Sequence, residues 1–210
     1  MKQQRMLIHG VILGVFCLGF GIVLAISDSI TVDDIAARAL EDRLNSLGQV
    51  IPDSIHDNNL VEDAITMKNE RNKEITVYRA IKEGKVTGLA YEIFGVGYAG
   101  QMKLMLGIDA QGKVLGVRAL AHKETPGLGD KIEVKKGDWI LRFDGLSLDN
   151  PLPGKWKVKK DGGQFDQFAG ATITPRGVVR AIREGLEFFA ANKAQMIDID
   201  ASKAPMKEVH

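Results

Sequence analysis

The stretch EITVYRAIKEGKVTGLAYEIF, from Glu74 to Phe94, decides the fold. Side chains alternate with period two on either side of Lys82-Glu83-Gly84-Lys85, the pattern of two strands joined by a tight turn. Strands are predicted over Glu74–Ile81 and Lys85–Phe94. The run Gly95-Val-Gly-Tyr-Ala-Gly100 breaks the alternation. A second hairpin follows, with strands over Lys103–Ile108 and Lys113–Ala121 around Asp109-Ala-Gln-Gly112. Downstream, Pro151–Gly154 reads as a loop, Lys155–Lys159 as a short strand and Asp161-Gly-Gly163 as a turn. A closing helix is predicted over about Pro175–Lys193. Val178, Ile182, Leu186 and Phe189 mark its buried face, Thr174 its N-cap and Pro175 its first helical residue. Gly185 falls mid-helix, where glycine costs about 1 kcal/mol relative to alanine, so it either permits close packing or is tolerated. Antiparallel strands with helices at the ends make this an α+β domain.

Toward the N-terminus, Thr31-Val-Asp-Asp34 reads as a helix start, with Thr31 as cap and two carboxylates at the positive end of the dipole. Ile35, Leu40, Leu44 and Leu47 continue it at helical spacing, and Gly48 then Pro52 close it. The stretch Asp53–Arg71 is mixed and polar, without a clear period. Before all of this, MLIHGVILGVFCLGFGIVLAIS (Met6–Ser27) contains no formal charge. About 20 helical residues at roughly 1.5 Å rise cover a hydrocarbon core of roughly 30 Å. A cleaved signal peptide would carry a shorter apolar run and a small-x-small site, whereas Asp28-Ser29-Ile30-Thr31 is a poor one. The reading is an uncleaved single-pass anchor. Lys2 and Arg5 precede it and Asp28, Asp33 and Asp34 follow it, so the N-terminus is expected in the cytoplasm and the main domain outside. In a Gram-negative cell that means the inner membrane and the periplasm. The expected organisation is a cytoplasmic stub and anchor over 1–27, a helical linker region over 28–72, the main domain over 73–200 and a flexible tail over 201–210.

The composition sets limits. The 210 residues are 45% hydrophobic and 26% charged, which are values of a globular chain. Lys+Arg 28 against Asp+Glu 27 leaves a net charge of +1 and no basic excess for nucleic acid. A single cysteine excludes an intrachain disulfide and any Cys-based zinc or iron–sulfur site. That residue, Cys17, lies in mid-span, where packing against lipid or a helix is its expected role. His9 lies near the cytoplasmic end of the span. Gly10, Gly14, Gly19 and Gly21 offer small-residue surfaces for a neighbouring helix.

Two segments depart from ordinary patterning. Ala121-His-Lys-Glu-Thr-Pro-Gly-Leu-Gly-Asp130 follows a strand directly, and its glycines and proline set a defined backbone path with free N–H groups. His122, Glu124 and Thr125 add polar side chains. No second His or Cys stands at ligand spacing, so a metal site is not expected. Asp166-Gln-Phe-Ala-Gly-Ala-Thr-Ile-Thr-Pro175 joins a small-residue turn to a helix start, and helix N-termini attract phosphate through unpaired N–H groups and the dipole. On the residues alone the plain reading is favoured for each segment, a polar loop for the first and a turn with a helix cap for the second. No nucleophile elbow or Ser-His-Asp order suggests hydrolysis, and no Gly-x-Gly-x-x-Gly follows a strand to bind a dinucleotide.

With both segments together, the chain resembles the membrane-anchored FMN-binding subunits of bacterial ion-pumping electron-transport complexes. These are the G subunits of the Rnf (Rsx) complexes, with the C subunits of the sodium-pumping NADH:quinone reductases as longer cousins. In that family the motif Asp-x-x-(Ser/Thr)-Gly-Ala-Thr carries covalent FMN on its last threonine through a phosphoester. Here the motif is Asp166 to Thr172, with Ala169 in place of the hydroxyl residue. The resemblance implies Thr172 as the attachment residue and Asp166, Gly170, Ala171 and Thr174 as its surroundings. The matching segment His122, Glu124, Thr125, Pro126, Gly127, Leu128, Gly129 is implied to lie against the flavin ring. It further implies electron relay within an ion-translocating oxidoreductase, other membrane and redox subunits as partners, and a flavin transferase that uses FAD and magnesium. The chain is then expected to have no catalytic activity alone. A freestanding flavin reductase and a non-redox binding or sensory module are the other classes that these features admit.

Overall fold

The computed structural model describes residues 2–68 and 74–199; the side chains of 2–7, 33–37, 39, 40, 42 and 43 are not among those described. The chain divides into two compact units between Asn45 and Ser46. Helix α1 (Lys2–Val50) crosses that division without a break. Its segment Ile8–Val32, 25 residues with a mean hydropathy of 2.5, is long and apolar enough to cross a membrane. The separate helix start expected at Thr31 does not exist. Thr31 lies inside α1 and its Oγ1 donates to the carbonyl of Ser27, one turn back, at 2.9 Å. No proline or glycine stands between Gly21 and Gly48, and a threonine can satisfy its hydroxyl on the preceding turn. Gly48 is also helical, and α1 stops at Val50, where Pro52 disfavours a helical Ile51. Leu44 is exposed and Leu47 buried. The side chains of Asp33, Asp34, Ile35 and Leu40 lie outside the described set, as does the expected tail 201–210.

The second unit is built on a five-stranded antiparallel meander: β1 (Ile65–Lys68), β2 (Glu74–Lys82), β3 (Lys85–Val96), β4 (Gln101–Asp109) and β5 (Val114–Ala121), paired in chain order. β1 comes from the stretch without a readable period. It has four residues and pairs with β2 from Ile65↔Val77 to Lys68↔Glu74. The two predicted hairpins are present. At the first, Glu83 (φ 52°) and Gly84 (φ 73°) both take the left-handed conformation that a two-residue turn of matching twist requires. At the second, Asp109 Oδ1 accepts from the N–H groups of Gln111 (2.9 Å) and Lys113 (2.8 Å).

Both faces of the sheet are covered. On one, α2 (Ile173–Ile197) packs Val178, Ile182, Leu186 and Phe189 against Leu104, Leu106, Ile93 and Tyr91. Gly185 belongs there: a Cβ would stand 2.8 Å from Leu106 Cδ2, and its carbonyl accepts from the Tyr91 hydroxyl at 2.8 Å. That buried phenol is pushed above its ordinary pKa by desolvation. On the other face Leu47, Val50, Ile51 and Leu60 cover Tyr78, Ala80, Ala90 and Met105. The helix end comes close because Gly107 and Gly116 face each other across β4 and β5; a Cβ on Gly107 would lie 2.4 Å from the Val50 carbonyl oxygen.

Two further expectations are corrected. Lys155–Lys159 is not a strand: Pro153–Lys155 is a 3-10 turn and Val158 makes a single bridge to Phe165. Trp156 instead packs into an aromatic cluster with Phe143 and Phe165, ring centroids 6.3 and 5.3 Å away. Thr174 does not cap α2. The helix begins at Ile173, Thr172 occupies the N-cap position without a side-chain capping bond, and Pro175 is the third helical residue, still in the tolerated first turn.

Candidate functional site

In the meander β3 and β5 run in the same direction, so the β3–β4 turn and the exit of β5 share one end of the sheet. The start of α2 meets them there: a Cβ on Gly177 would lie 2.2 Å from the Val96 carbonyl oxygen, a contact that only glycine permits. Three segments therefore converge, Gly97–Gly100, His122–Gly129 and Gly170–Thr174.

Glu124 joins all three. It is 6% exposed. Its Oε1 accepts from the Ala99 N–H at 3.0 Å and its Oε2 from the Thr174 hydroxyl. Space for the carboxylate comes from glycines, since a Cβ on Gly97 or Gly129 would stand 2.3 or 2.7 Å from its oxygens. The Glu124 N–H donates to His122 Nδ1 at 3.2 Å, which places the ring proton on Nε2, 2.9 Å from Glu133 Oε1. Glu124 and His122 thus hold the loop rather than project from it. The following residues do project: Thr125, Pro126, Gly127 and Leu128 are exposed. Their turn is closed by N–H groups of Leu128 and Gly129 donating to the Thr125 carbonyl, both at 3.1 Å. Gly127 sits at φ 77° with open space where a Cβ would be.

The second segment faces the first. Gly170 also has φ 77°, and the one neighbour its Cβ would meet is Leu128 Cδ2 at 3.7 Å. Ala171 N–H closes the turn onto the Phe168 carbonyl at 3.2 Å. Thr172 is half-buried at the helix N-terminus with no capping bond from its side chain. The N–H groups of Ile173 and Thr174 have no intrahelical acceptor, and Pro175 has none to offer. Asp166 is held by two cations: Lys159 Nζ lies 2.6 Å from Oδ1 and Arg142 pairs with Oδ2. The Lys159 hydrogen bond, helped by Arg142, holds this carboxyl below its ordinary range. Arg176 is engaged by Asp161, with Nε and Nη2 each 2.6 Å from a carboxylate oxygen. The site residues missing from the sequence reading are Gly97, Ala99, Glu133, Arg142 and Lys159. The glycine-rich run 95–100 was the visible signal for Gly97 and Ala99; Glu133, Arg142 and Lys159 carry no such signal.

The FMN-binding domain family matches residues 97–187, an interval that begins at the β3–β4 turn and ends in α2. The G subunit of the ion-translocating oxidoreductase complex of Cereibacter sphaeroides is 46% identical over 191 residues, 91% of this chain and 87% of that one. The chain belongs to the family of G subunits of ion-translocating oxidoreductase complexes. The G subunit from Stutzerimonas stutzeri is 44% identical over 188 residues, covering 90% of this chain and 82% of its own length. A crystal structure of NqrC from Shewanella oneidensis aligns with a TM-score of 0.48 at 24% identity, over 67% of this chain and 74% of that one. Family and domain together make this a membrane-anchored flavoprotein subunit of an electron-transport complex.

The geometry fits FMN. An uncapped threonine hydroxyl stands at a helix N-terminus beside orphan N–H groups, where a phosphate is favoured by the dipole. The left-handed glycines at 127 and 170 leave the backbone open on the exposed side.

Proposed function

We propose that the protein holds FMN covalently, through a phosphoester on Thr172 Oγ1, and relays electrons between redox subunits of its complex. The observation that carries this is the position of Thr172: its hydroxyl is free of capping duty at the start of α2, two residues after Gly170, which meets Leu128 of the exposed Thr125–Leu128 loop. In the attachment step the Thr172 oxygen forms a bond to the flavin-side phosphorus of FAD, the pyrophosphate bond breaks, and AMP leaves as the threonine proton is released. A flavin transferase supplies the magnesium ion and the base. The retained negative charge is stabilised by the N–H groups of Ile173 and Thr174. Bound FMN supplies one- and two-electron chemistry. The protein positions it through Gly127, Leu128, Gly170 and Ala171, while Glu124 and Thr174 fix the walls relative to each other. Asp166, held by Arg142 and Lys159, orders the approach to Thr172. With a tethered cofactor and no dinucleotide motif in its sequence, the chain works as a relay, not as a separate reductase. The charge flanks of Met6–Ser27 favour the periplasmic side of the inner membrane for the flavin domain.

Co-expression of the full chain with a flavin transferase tests the attachment. The denatured wild-type polypeptide is expected to fluoresce as a flavin, and Thr172→Ala to be dark while still folding. Covalent flavin in Thr172→Ala, or a dark wild type, overturns the assignment.

A further inference from the structure

Most aromatic side chains described in the second unit are packed inside it. Tyr91, Phe143, Trp156, Phe165, Trp139, Phe168 and Phe189 are buried. Tyr98 is the most exposed of the described aromatics there, at 78% against 48% for Phe94 on β3. It stands in the β3–β4 turn, which is closed by the Gly97 N–H donating to the Gly100 carbonyl at 2.8 Å and uses Gly100 at φ 125°. This turn is not free to wander. Its next residue, Ala99, is held by Glu124 Oε1, and the other oxygen of the same carboxylate holds Thr174, two residues from Thr172. The flanking apolar side chains Leu128 and Ile173 are each 42% exposed. Each of the three converging segments thus carries one exposed apolar side chain, and the FMN-binding match takes in all three.

Resting on the Thr172 reading, we infer that Tyr98 is the stacking residue for the isoalloxazine ring of FMN. The ring is a broad, flat, largely apolar group that a short chain would tether to the last of these segments. Offset contact with an aromatic face gains stabilisation beyond the area buried. Glu124 fixes the spacing between the turn that carries Tyr98 and the start of α2. The phenol also gives the flavin an electron-rich neighbour, which quenches flavin fluorescence when the rings are in contact.

The test uses the full chain in detergent, loaded by a flavin transferase, as wild type, Tyr98→Leu, Tyr98→Phe and Tyr98→Trp. Fluorescence of the denatured chains comes first. Equal signals show that every protein carries flavin on the polypeptide, and a dark wild type would sink the Thr172 reading instead. The native-to-denatured fluorescence ratio then reports stacking. It is expected to be low in wild type and Tyr98→Trp, and to rise toward that of free FMN in Tyr98→Leu. Tyr98→Phe should also brighten, since benzene is a poor electron donor, yet keep the visible circular dichroism of the bound flavin that Tyr98→Leu loses. A Tyr98→Leu protein whose native ratio and dichroism both match wild type overturns the inference and leaves this turn as a surface for another protein of the complex.

Discussion

Glu124 shows how much of the site rests on one side chain. It accepts the Ala99 N–H and the Thr174 hydroxyl while almost fully enclosed, and two glycines keep the space open for it. Alanine at this position leaves both donors without an acceptor, at a cost of about 2–3 kcal/mol of stability. Glutamine keeps the shape and one acceptor oxygen, and the threonine hydroxyl can turn to accept from its amide. Urea unfolding of the detergent-solubilised chain should therefore place Glu124→Ala well below wild type and Glu124→Gln close to it. Equal losses in both variants would mean that charge, not hydrogen bonding, secures the junction. The residue itself was legible in the sequence, as part of His-x-Glu-Thr-Pro-Gly-Leu-Gly. Its role was not, because the partners lie 25 and 50 residues away in the chain. Linear spacing shows which residues are unusual but not which backbone group a carboxylate will meet.

Elements read well from the sequence where one physical rule governs them. The strands β2 to β5 and α2 follow period and turn chemistry, and their bounds fall within a few residues of expectation. The misreadings occur where two rules compete. Thr31 is a good cap in isolation, but nothing upstream breaks the helix, so α1 continues through it. Lys155–Lys159 alternates like a strand, but Trp156 serves an aromatic cluster and the backbone pairs only through the single bridge of Val158 to Phe165. β1 is too short for a period to show. The glycines make the same point quantitatively. Gly48 is helical with open space around it, so Gly48→Ala should stabilise the chain by up to about 1 kcal/mol. Gly107→Ala drives a methyl group into the Val50 carbonyl and should cost about 1–3 kcal/mol or more. Thermal unfolding of the two variants side by side should move the midpoint in opposite directions. A neutral Gly107→Ala would show that the end of α1 can lift from the sheet.

At the scale of the whole molecule, the structure moves the start of the folded unit. Sequence patterning suggests a flavin domain beginning near residue 73, after a helical linker. The second compact unit instead begins at Ser46, because the last residues of α1 and the segment through Leu60 form the cover of the second sheet face. Leu47, Val50 and Ile51 are each at most 1% exposed, and full burial of such side chains contributes about 1.5–3 kcal/mol apiece. A chain starting at residue 73 also loses β1 and bares Tyr78, Ala80, Ala90 and Met105 as one apolar face. A chain starting at Ser46 keeps both layers and discards the apolar stretch Ile8–Val32. The shorter cut should therefore give a soluble, cooperatively unfolding protein that still accepts flavin from the transferase, and the longer cut an aggregating one that does not. Size-exclusion profiles and denatured-gel flavin fluorescence decide this. A monomeric, flavin-accepting protein from the longer cut would mean that the second sheet face tolerates water and that α1 serves the fold only as an anchor.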